Sequence, residues 1–519
     1  MTSNPQDIIQ EIRAEFEMLL EFVSGEKAQV STAFRIESGL LKGLLSLGRQ
    51  LLALFFVIRT RNASREALVL KDGQELPYHS EKERTYFSIF GKVVVERPYF
   101  YEKGKAGQTP LDAELSLGAD RYSDVLRDMA EYLGVYIAYN KCANILKRFL
   151  EIGLSTRVFE KIIAEDAEDV DRYYEQKPAP TPDSEAGILV IQADGKGVPI
   201  ILEEPAEPKV RLGKGQKLGK KKEAIVTSVY TIGRMLRTPK EVVASFFNLE
   251  EDASASNTNS KHPKPQNKHV WATLKGKDMA LDRLMKYVAP RLGNHIQDKV
   301  ALCDGCEPLQ DRIRSRFPDF TLILDFIHAN EYLWKVVNRL LGETDPNRTE
   351  WVVEKTLLML SGQTPQLIAE FRQLAQEKKR TSAQREILTK TADYFERNLP
   401  YMDYPTYLAN GWPIASGVIE GACRHLVKDR MELSGMRWLQ DGAESLLHLR
   451  SVAENGDWEA YRLFRMRERH RRLYDIPFPE QALPEQTLSP SHQTNQTAQE
   501  KIESTSSSKH GYYGLPLAV

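Results

Sequence analysis

Cysteine is scarce: the chain of 519 residues holds four. That excludes a disulfide-stapled secreted scaffold and fits a reducing compartment. A surplus of either charge is also lacking. Lys and Arg total 71 against 72 Asp and Glu, a formal net charge of −1, so the chain is no uniformly basic coat for nucleic acid. Affinity for a polyanion must come from local patches. A long clean hydrophobic run is missing too. The most apolar stretch, 40–58, is interrupted by Lys42, Arg49 and Gln50 and reads as a buried helix, so no membrane association is expected. The N-terminus opens polar and acidic, which predicts no secretory leader. No internal repeat shows. What is present is ordinary globular composition, 41% hydrophobic and 28% charged, at a length that suits two to four domains.

Ile8, Ile9, Ile12, Phe16, Leu19, Leu20 and Val23 fall at helical spacing, and with 40–58 they predict a helical N-terminal region over 1–80. Residues 86–101, YFSIFGKVVVERPYFY, predict a hairpin or two short strands around Gly91. One helix is expected over about 123–150, then a break at 151–154, then a second helix capped by Ser155 and running toward Ala167. Two helices joined by a short Gly-containing turn have the outline of a helix-turn-helix, in which Thr156, Arg157 and Lys161 would face the major groove of DNA. A plain helical hairpin gives the same pattern. Residues 81–176 are thus the candidate DNA-binding region, and the Pro-rich 177–183 a linker.

Beyond the linker the pattern changes to strands. Short β-branched runs at 187–193, 198–202 and 224–232 are followed by a polar loop at 252–268 and a helix at about 278–288. Two further apolar runs follow, 299–303 ending in Asp304-Gly305 and 320–324 ending in Asp325, with a helix between them. Three strands, a helix, a strand, a helix and a strand is the order of a ribonuclease-H-like mixed sheet. Its first part would span 184–335. Residues 336–410 read as an all-α insertion, and 411–475 would complete the core with basic helical sequence at 461–474. The Ser-, Thr-, Gln- and Pro-rich 476–519 reads as a disordered tail. The expected fold is therefore α/β: a ribonuclease-H-like mixed-sheet catalytic core with an all-α insertion, preceded by a helical, helix-turn-helix-like N-terminal region.

The stretch GILVIQADGKGV at 187–198 places Asp194 at the end of an apolar run against glycine, as ALCDG places Asp304. An Asp that merely starts a turn gives the same local pattern. In the proposed sheet the two strands would be neighbours. Two carboxylates side by side with no cation between them are costly unless one bridges them. Mg²⁺ prefers oxygen ligands, and a pair of such ions serves phosphodiester cleavage. Glu420 in SGVIEGACRHLVKDRM is the candidate third carboxylate. Ser416 can cap its helix, and Glu420, Arg424 and Lys428 fall at i, i+4 and i+8 on one stripe. That stripe suits a metal ligand beside bound phosphates; a solvent-exposed salt-bridge face is its plain alternative. Asp325 and His328 form a D-x-x-H after a strand, with Asp325 the rival to Asp304 as second carboxylate. Cys303 and Cys306 make a lone C-x-x-C and read as small core residues. Lys209, Arg211, Lys214, Lys217, Lys220, Lys221 and Lys222 form a run without an acid. Solvated loop and phosphate-contacting loop both fit it.

QADGKGV, ALCDG, LDFIHANEYLW and SGVIEGACRHLVKDRM, in that order, resemble a bacterial insertion-sequence transposase of the ISKra type, within the Mutator-like DDE transposases. The resemblance covers roughly residues 86–474. It implies a ribonuclease-H-like core interrupted by a helical insertion, with Asp194, Asp304 and Glu420 as the DDE triad. Asp325 and His328 match the family's C/D-x-x-H signature near the active site. Relatives often carry cysteine pairs after the N-terminal strands, whereas here 99–104 read YFYEKG, so a zinc site is not expected there. The implied enzyme binds its element's terminal inverted repeats, cleaves DNA with two Mg²⁺ or Mn²⁺ ions, and joins the 3′ end to target DNA. Residues 209–222, Arg424, Lys428 and the basic 465–472 would hold phosphates. A homo-oligomer during synapsis is implied, in the bacterial cytoplasm and associated with the nucleoid when bound to DNA. Three rival readings stand beside it. A ribonuclease-H-like nuclease would cut without joining. A transposase-derived DNA-binding protein would be catalytically inactive, though the intact carboxylates count against that. A helical scaffold leaves the two Asp-Gly pairs at strand ends without a reason.

Overall fold

The computed structural model describes residues 4–70, 72–201, 221–249, 263–433, 435–474 and 476–479. Five segments, Ile188–Pro199 (β1), Lys221–Ile232 (β2), Gln266–Thr273 (β3), Asp298–Cys303 (β4) and Thr321–Leu324 (β5), form one sheet in the order β3-β2-β1-β4-β5. The first three pair antiparallel, while β4 runs parallel to β1 and β5 parallel to β4. Parallel neighbours need crossovers, and the helices Lys277–Val288 and Glu307–Arg316 lie between β3 and β4 and between β4 and β5. β1 is buried from Ile188 to Ala193 without interruption. A strand covered on both faces reads as a continuous apolar run rather than an alternation.

Each face has its own core. Leu189, Ile191, Ala193 and Ala301 pack with Leu281, Leu284 and Ile313 of the crossover helices. Ile188, Val190, Val300 and Leu302 pack on the other side with Val336, Met359, Phe371 and Phe395. Those four belong to Phe326–Leu341, Arg348–Leu360, Thr364–Gln376 and Ser382–Asn398, the helices that follow β5. A third core joins Val226 and Trp271 to Ile419, Cys423, Leu426 and Leu447, which docks the Glu420 segment and the helix Gln440–Glu454 against the antiparallel edge. The architecture is mixed α/β.

Several expectations change. The run at 187–193 and the start of the run at 198–202 are one strand, β1, which passes straight through Gly195 and Gly197 and ends at Pro199; residue 202 lies outside the described residues. The glycines make no turn. They pair with Ile225 and Glu223 of β2, and a Cβ at Gly195 would lie 2.2 Å from Glu223 Oε1. Glycine here lets a neighbouring side chain cross the strand. The missing strand is β3, whose second half, His269–Val270–Trp271–Ala272–Thr273, is buried; its polar first half, QNK, lies in the stretch expected to be loop. The helix expected over 123–150 is two, Asp124–Tyr136 and Tyr139–Leu150, broken at an extended Ile137. Neither glycine nor proline marks that break, so periodicity runs through it. In the turn before Thr156 the left-handed residue is Glu151 at φ 58°, not Gly153. The hairpin is Tyr78–Ser88 with Gly91–Phe100, longer on its first strand than expected because that strand, YHSEKERTYFS, is charged and lightly buried.

The 40–58 stretch lies within one helix, Ala33–Asn62, but that helix is not buried. Only Phe56 and Thr60 of its thirty residues are. By length and composition it is apolar enough to cross a membrane, with a window of mean hydropathy 1.6 that is 6% buried. It packs on Pro5–Ser24 and, through Gly48, against Phe90.

Candidate active site

The register of the sheet sets the site. Ala193 of β1 is level with Cys303 of β4, and Cys303 is level with Leu324 of β5. The next residue on each chain is an aspartate: Asp194, Asp304 and Asp325. Three adjacent parallel strands thus present three carboxyl groups at one edge. Strand alternation puts Asp194 and Asp304 on the same face as Val190 and Leu302, the face that the helices after β5 cover.

Asp194 and Asp304 are half-buried and lightly partnered. Asp194 Oδ1 accepts the Gly195 N–H at 2.6 Å, and its Oδ2 accepts the Cys423 thiol at 3.3 Å. Asp304 Oδ1 accepts the Cys306 N–H at 3.1 Å and the Cys303 thiol at 3.6 Å. Burial raises the Asp304 pKa, and the Asp194 carboxylate adds to it against the Cys306 N–H. Asp325 is different. It is fully buried, its Oδ1 caps the next helix through Ile327 N–H at 3.0 Å, and its Oδ2 accepts from Ser416 Oγ and from His328 Nδ1 at 2.7 Å. With both oxygens engaged, Asp325 serves to position His328. The hydrogen bond to Asp325 pushes His328 up to about 9 against the opposing effect of burial, so the imidazole is charged at neutral pH.

Glu420 is the exposed member. Its carboxyl, His328 and Asp325 offer ligand atoms that all lie within 4.8 Å of one another. Partial burial raises its pKa, followed by the charge of Asp325, with Asp194 adding and His328 opposing. Glu420 therefore approaches Asp325 and His328 most closely, while Asp194 and Asp304 sit side by side in the sheet. Ser416 is buried and makes no side-chain cap to its helix; its hydroxyl goes to Asp325 instead.

The helix Gly417–Ala422 widens into a π-helix over Cys423–Lys428. Ile419, Cys423, Val427 and Met431 are all buried, so the inward face recurs every four residues. A strict α-helix would rotate an i+8 residue about 80° away; the wide turns keep Glu420, Arg424 and Lys428 together on the outer, exposed face. Arg424 lies 3.7 Å from Asp429. Cys423, three residues after Glu420 and in contact with Asp194, escaped sequence reasoning, as did Lys196. Lys196 shares the Asp194 face of β1 at i+2, a relation legible in ADGKG once that stretch is taken as strand.

The basic candidates separate. Lys209, Arg211, Lys214, Lys217 and Lys220 lie outside the described residues. Lys221 pairs with Glu432 at 2.6 Å and Lys222 donates to Gln440 at 2.6 Å. The 465–472 tract is not a free phosphate surface. Arg465 is buried against Glu131 and Asp166, Arg469 binds Asp124, and Arg472 lies 2.5 Å from Asp169. Acids of Asp124–Tyr136 and Thr156–Asp166, together with Asp169 just beyond the second helix, neutralise them, which no reading of the tract alone could show. In the N-terminal region Thr156, Arg157 and Lys161 are all exposed. Arg157 and Lys161 line a cleft with Arg84, Arg121 and Tyr122; Lys161 lies 3.4 Å from Glu165. Cys303 is buried and Cys306 half-buried, both as free thiols beside Asp304.

Carboxylate oxygens such as those of Asp194, Asp304 and Glu420 suit a hard divalent cation; among the described residues the ligand atoms that lie within 4.8 Å of one another are those of Asp325, His328 and Glu420, and burial raises the pKa values of Asp304 and Glu420 while His328 lowers both. No protein-family model matches the chain, and no curated protein matches it. Among solved structures it is similar to the Drosophila P element transposase strand transfer complex, at 9% identity over 69% of this chain and 83% of that one, with a TM-score of 0.23. So low a score carries no argument.

Proposed function

We propose that this chain is a DNA transposase of the DDE type, of the insertion-sequence group its motifs resemble, with Asp194, Asp304 and Glu420 as the acidic triad. The observation that carries the reading is the carboxylate edge: Asp194 and Asp304 follow the paired Ala193 and Cys303 of adjacent parallel strands, and Glu420, from far along the chain, meets Asp325 and His328 within reach of the Asp194 charge. The strand order and the antiparallel-then-parallel pairing support a ribonuclease-H-like core. The five α-helices between β5 and the Glu420 segment support an all-α insertion.

Bound Mg²⁺ or Mn²⁺, as two ions, would activate the attacking hydroxyl and stabilise the leaving oxygen in DNA cleavage and in joining of the 3′ end. Asp194, Asp304 and Glu420 would hold those ions. Asp325 fixes His328, whose positive charge balances part of the cluster. Lys196, Arg424 and Lys428 would hold phosphates. Terminal inverted repeats would bind through the region around Arg121, Arg157 and Lys161, and synapsis would take place in a homo-oligomer on the bacterial nucleoid.

The test is a labelled linear DNA carrying the inverted repeats that flank the gene, incubated with purified protein and Mg²⁺, Mn²⁺ or chelator. Metal-dependent cleavage and joining, lost in Asp194→Ala, Asp304→Ala and Glu420→Ala, is the expected result. Cleavage without joining would make the protein a nuclease. Tight binding without cleavage under any metal would make it a DNA-binding relic. An active Asp304→Ala beside a dead Asp325→Ala would move the second carboxylate to Asp325.

A further inference from the structure

A cavity of about 820 Å³ opens beside the antiparallel edge of the sheet. Its walls come from β3, the helix Val170–Gln176, the linker at 177–180, the crossover helix Lys277–Val288 and the helix Gln440–Glu454. None of Asp194, Asp304, Asp325 and Glu420 lines it. A volume of that order is the size of a small-molecule site. Arg283 is the wall residue that its surroundings leave incomplete. Its guanidinium carbon lies 3.3 Å from the centre of the Trp271 ring, and its Nη1 donates to Asp171. Its Nε and Nη2 are buried and have no hydrogen-bond partner. Those two donors are the side-on fork by which a guanidinium grips an oxyanion. Elsewhere in this chain the same pair holds a carboxylate, in Arg127 on Asp166, Arg291 on Glu185 and Arg462 on Glu459. Among the described residues Arg283 is the one arginine with both fork donors buried and unfilled. A buried donor left unpaired is costly, so a group that completes it is favoured. Burial also lowers the Arg283 pKa, although Asp171 opposes it.

We propose that this cavity binds a small organic monoanion, a carboxylic acid on an apolar body, with its carboxylate on the Arg283 fork. The walls supply the apolar part, through the rings of Tyr174, Trp271 and Tyr287. Their charges select the ionic state. Asp171 is engaged by Arg283, Asp282 by Arg316, Glu444 by Thr273 and His448, and Lys177 by Asp457. Lys275, Lys286 and Glu175 are exposed on the walls, and none of them has an ion pair among the described residues. Two cations against one acid leave a surplus of one positive charge, which a monoanion balances. A phosphate monoester brings nearly two negative charges at neutral pH and exceeds that surplus. The linker at 177–180 forms one wall and the sheet edge another, so the ligand would tie the linker to the core. The proposal does not depend on the catalytic reading above.

Isothermal titration of the full chain with benzoate, cyclohexanecarboxylate and naphthalene-2-carboxylate tests it. Naphthalene-2-carboxamide serves as the neutral counterpart and 2-naphthyl phosphate as the dianionic one. At least one carboxylate is expected to bind saturably, one per chain, below millimolar concentration, and the amide at least about tenfold more weakly than naphthalene-2-carboxylate. Arg283→Lys keeps the charge but not the fork, and is expected to weaken the carboxylates at least about tenfold with an unchanged circular dichroism spectrum. Lys275→Ala/Lys286→Ala, at exposed positions that folding tolerates, is expected to weaken them about two- to threefold, a difference that high salt removes. Failure of all three carboxylates to bind at millimolar concentration would overturn the proposal. So would an amide that binds as well as the acid, or carboxylate binding that Arg283→Lys leaves unchanged. Tighter binding of the phosphate than of naphthalene-2-carboxylate would also overturn it, and would assign the cavity to a dianion.

Discussion

Two of this protein's groups of charged side chains are built on opposite plans. Between the helices Asp124–Tyr136, Thr156–Asp166 and Trp458–Tyr474, the buried Arg127 and Arg465 meet Glu131 and Asp166. Burial alone would raise the Asp166 pKa; Arg465, the hydrogen bond with Glu131 and Arg127 outweigh it and hold the carboxyl well below the usual range. At the sheet edge, Asp194 and Asp304 follow adjacent parallel strands while Glu420 meets Asp325 and His328, and the imidazole hydrogen-bonded to Asp325 is the positive side chain there. The first group is close to electrically complete. Among the described residues, the second holds more acids than bases hydrogen-bonded to them, an excess that a bound cation would balance. Charge balance, rather than the density of charged residues, separates a structural network from a site.

The comparison makes graded predictions. The largest effect falls on chemistry. Asp194→Asn, Asp304→Asn and Glu420→Gln should each lower DNA cleavage at least roughly a thousandfold, about 4 kcal/mol of barrier, while their circular dichroism spectra match the wild type. Arg465→Met should do the reverse. It leaves Asp166 and Glu131 buried with one fewer counter-charge and should cost about 3–5 kcal/mol in urea unfolding, with cleavage per folded molecule retained.

A smaller effect belongs to Glu444, which ties Gln440–Glu454 to β3. It accepts from Thr273 Oγ1, from Leu274 N–H at 2.7 Å, and from His448. Burial opposes ionisation, but these partners hold its pKa below the ordinary value. A lowered acid pKa stabilises the fold fully above the unfolded value and ceases to do so as pH falls through the folded one. Glu444→Gln should therefore cost about 1–3 kcal/mol at neutral pH, and the gap from wild type should close in acid. The smallest effect has the opposite sign. In chelator, Asp304→Asn should be as stable as the wild type or more stable by about 0.5–1 kcal/mol, because it relieves repulsion that the site keeps for function. A loss of several kcal/mol there would place Asp304 in the structural class.

How much of this could be read beforehand depends on where the information lies. The apolar runs ending in Asp194, Asp304 and Asp325 are visible as strands because burial on both faces leaves an unbroken signal. Strand β3 is hidden by its polar first half, and the continuity of β1 by two glycines that serve close packing. The proximity of Cys423 to Asp194, and the four-residue period set by the π-helix, depend on contacts between distant segments. The basic tract at 465–472 shows the same limit from the other side: its charge is plain in the sequence, but the acids that consume it lie on two other helices and at Asp169 beyond them. The exposure of Ala33–Asn62 was illegible for a related reason, since an apolar helix does not say what covers it.

The central claim is that the carboxylate edge is a cation site, and Mn²⁺ binding followed by electron paramagnetic resonance tests it without requiring DNA. The account predicts saturable binding to the wild type and to Arg465→Met, weakened at least about tenfold, some 1.4 kcal/mol, in Asp194→Asn, Asp304→Asn and Glu420→Gln. Absence of binding at millimolar Mn²⁺, or binding that all three variants leave unchanged, would contradict it.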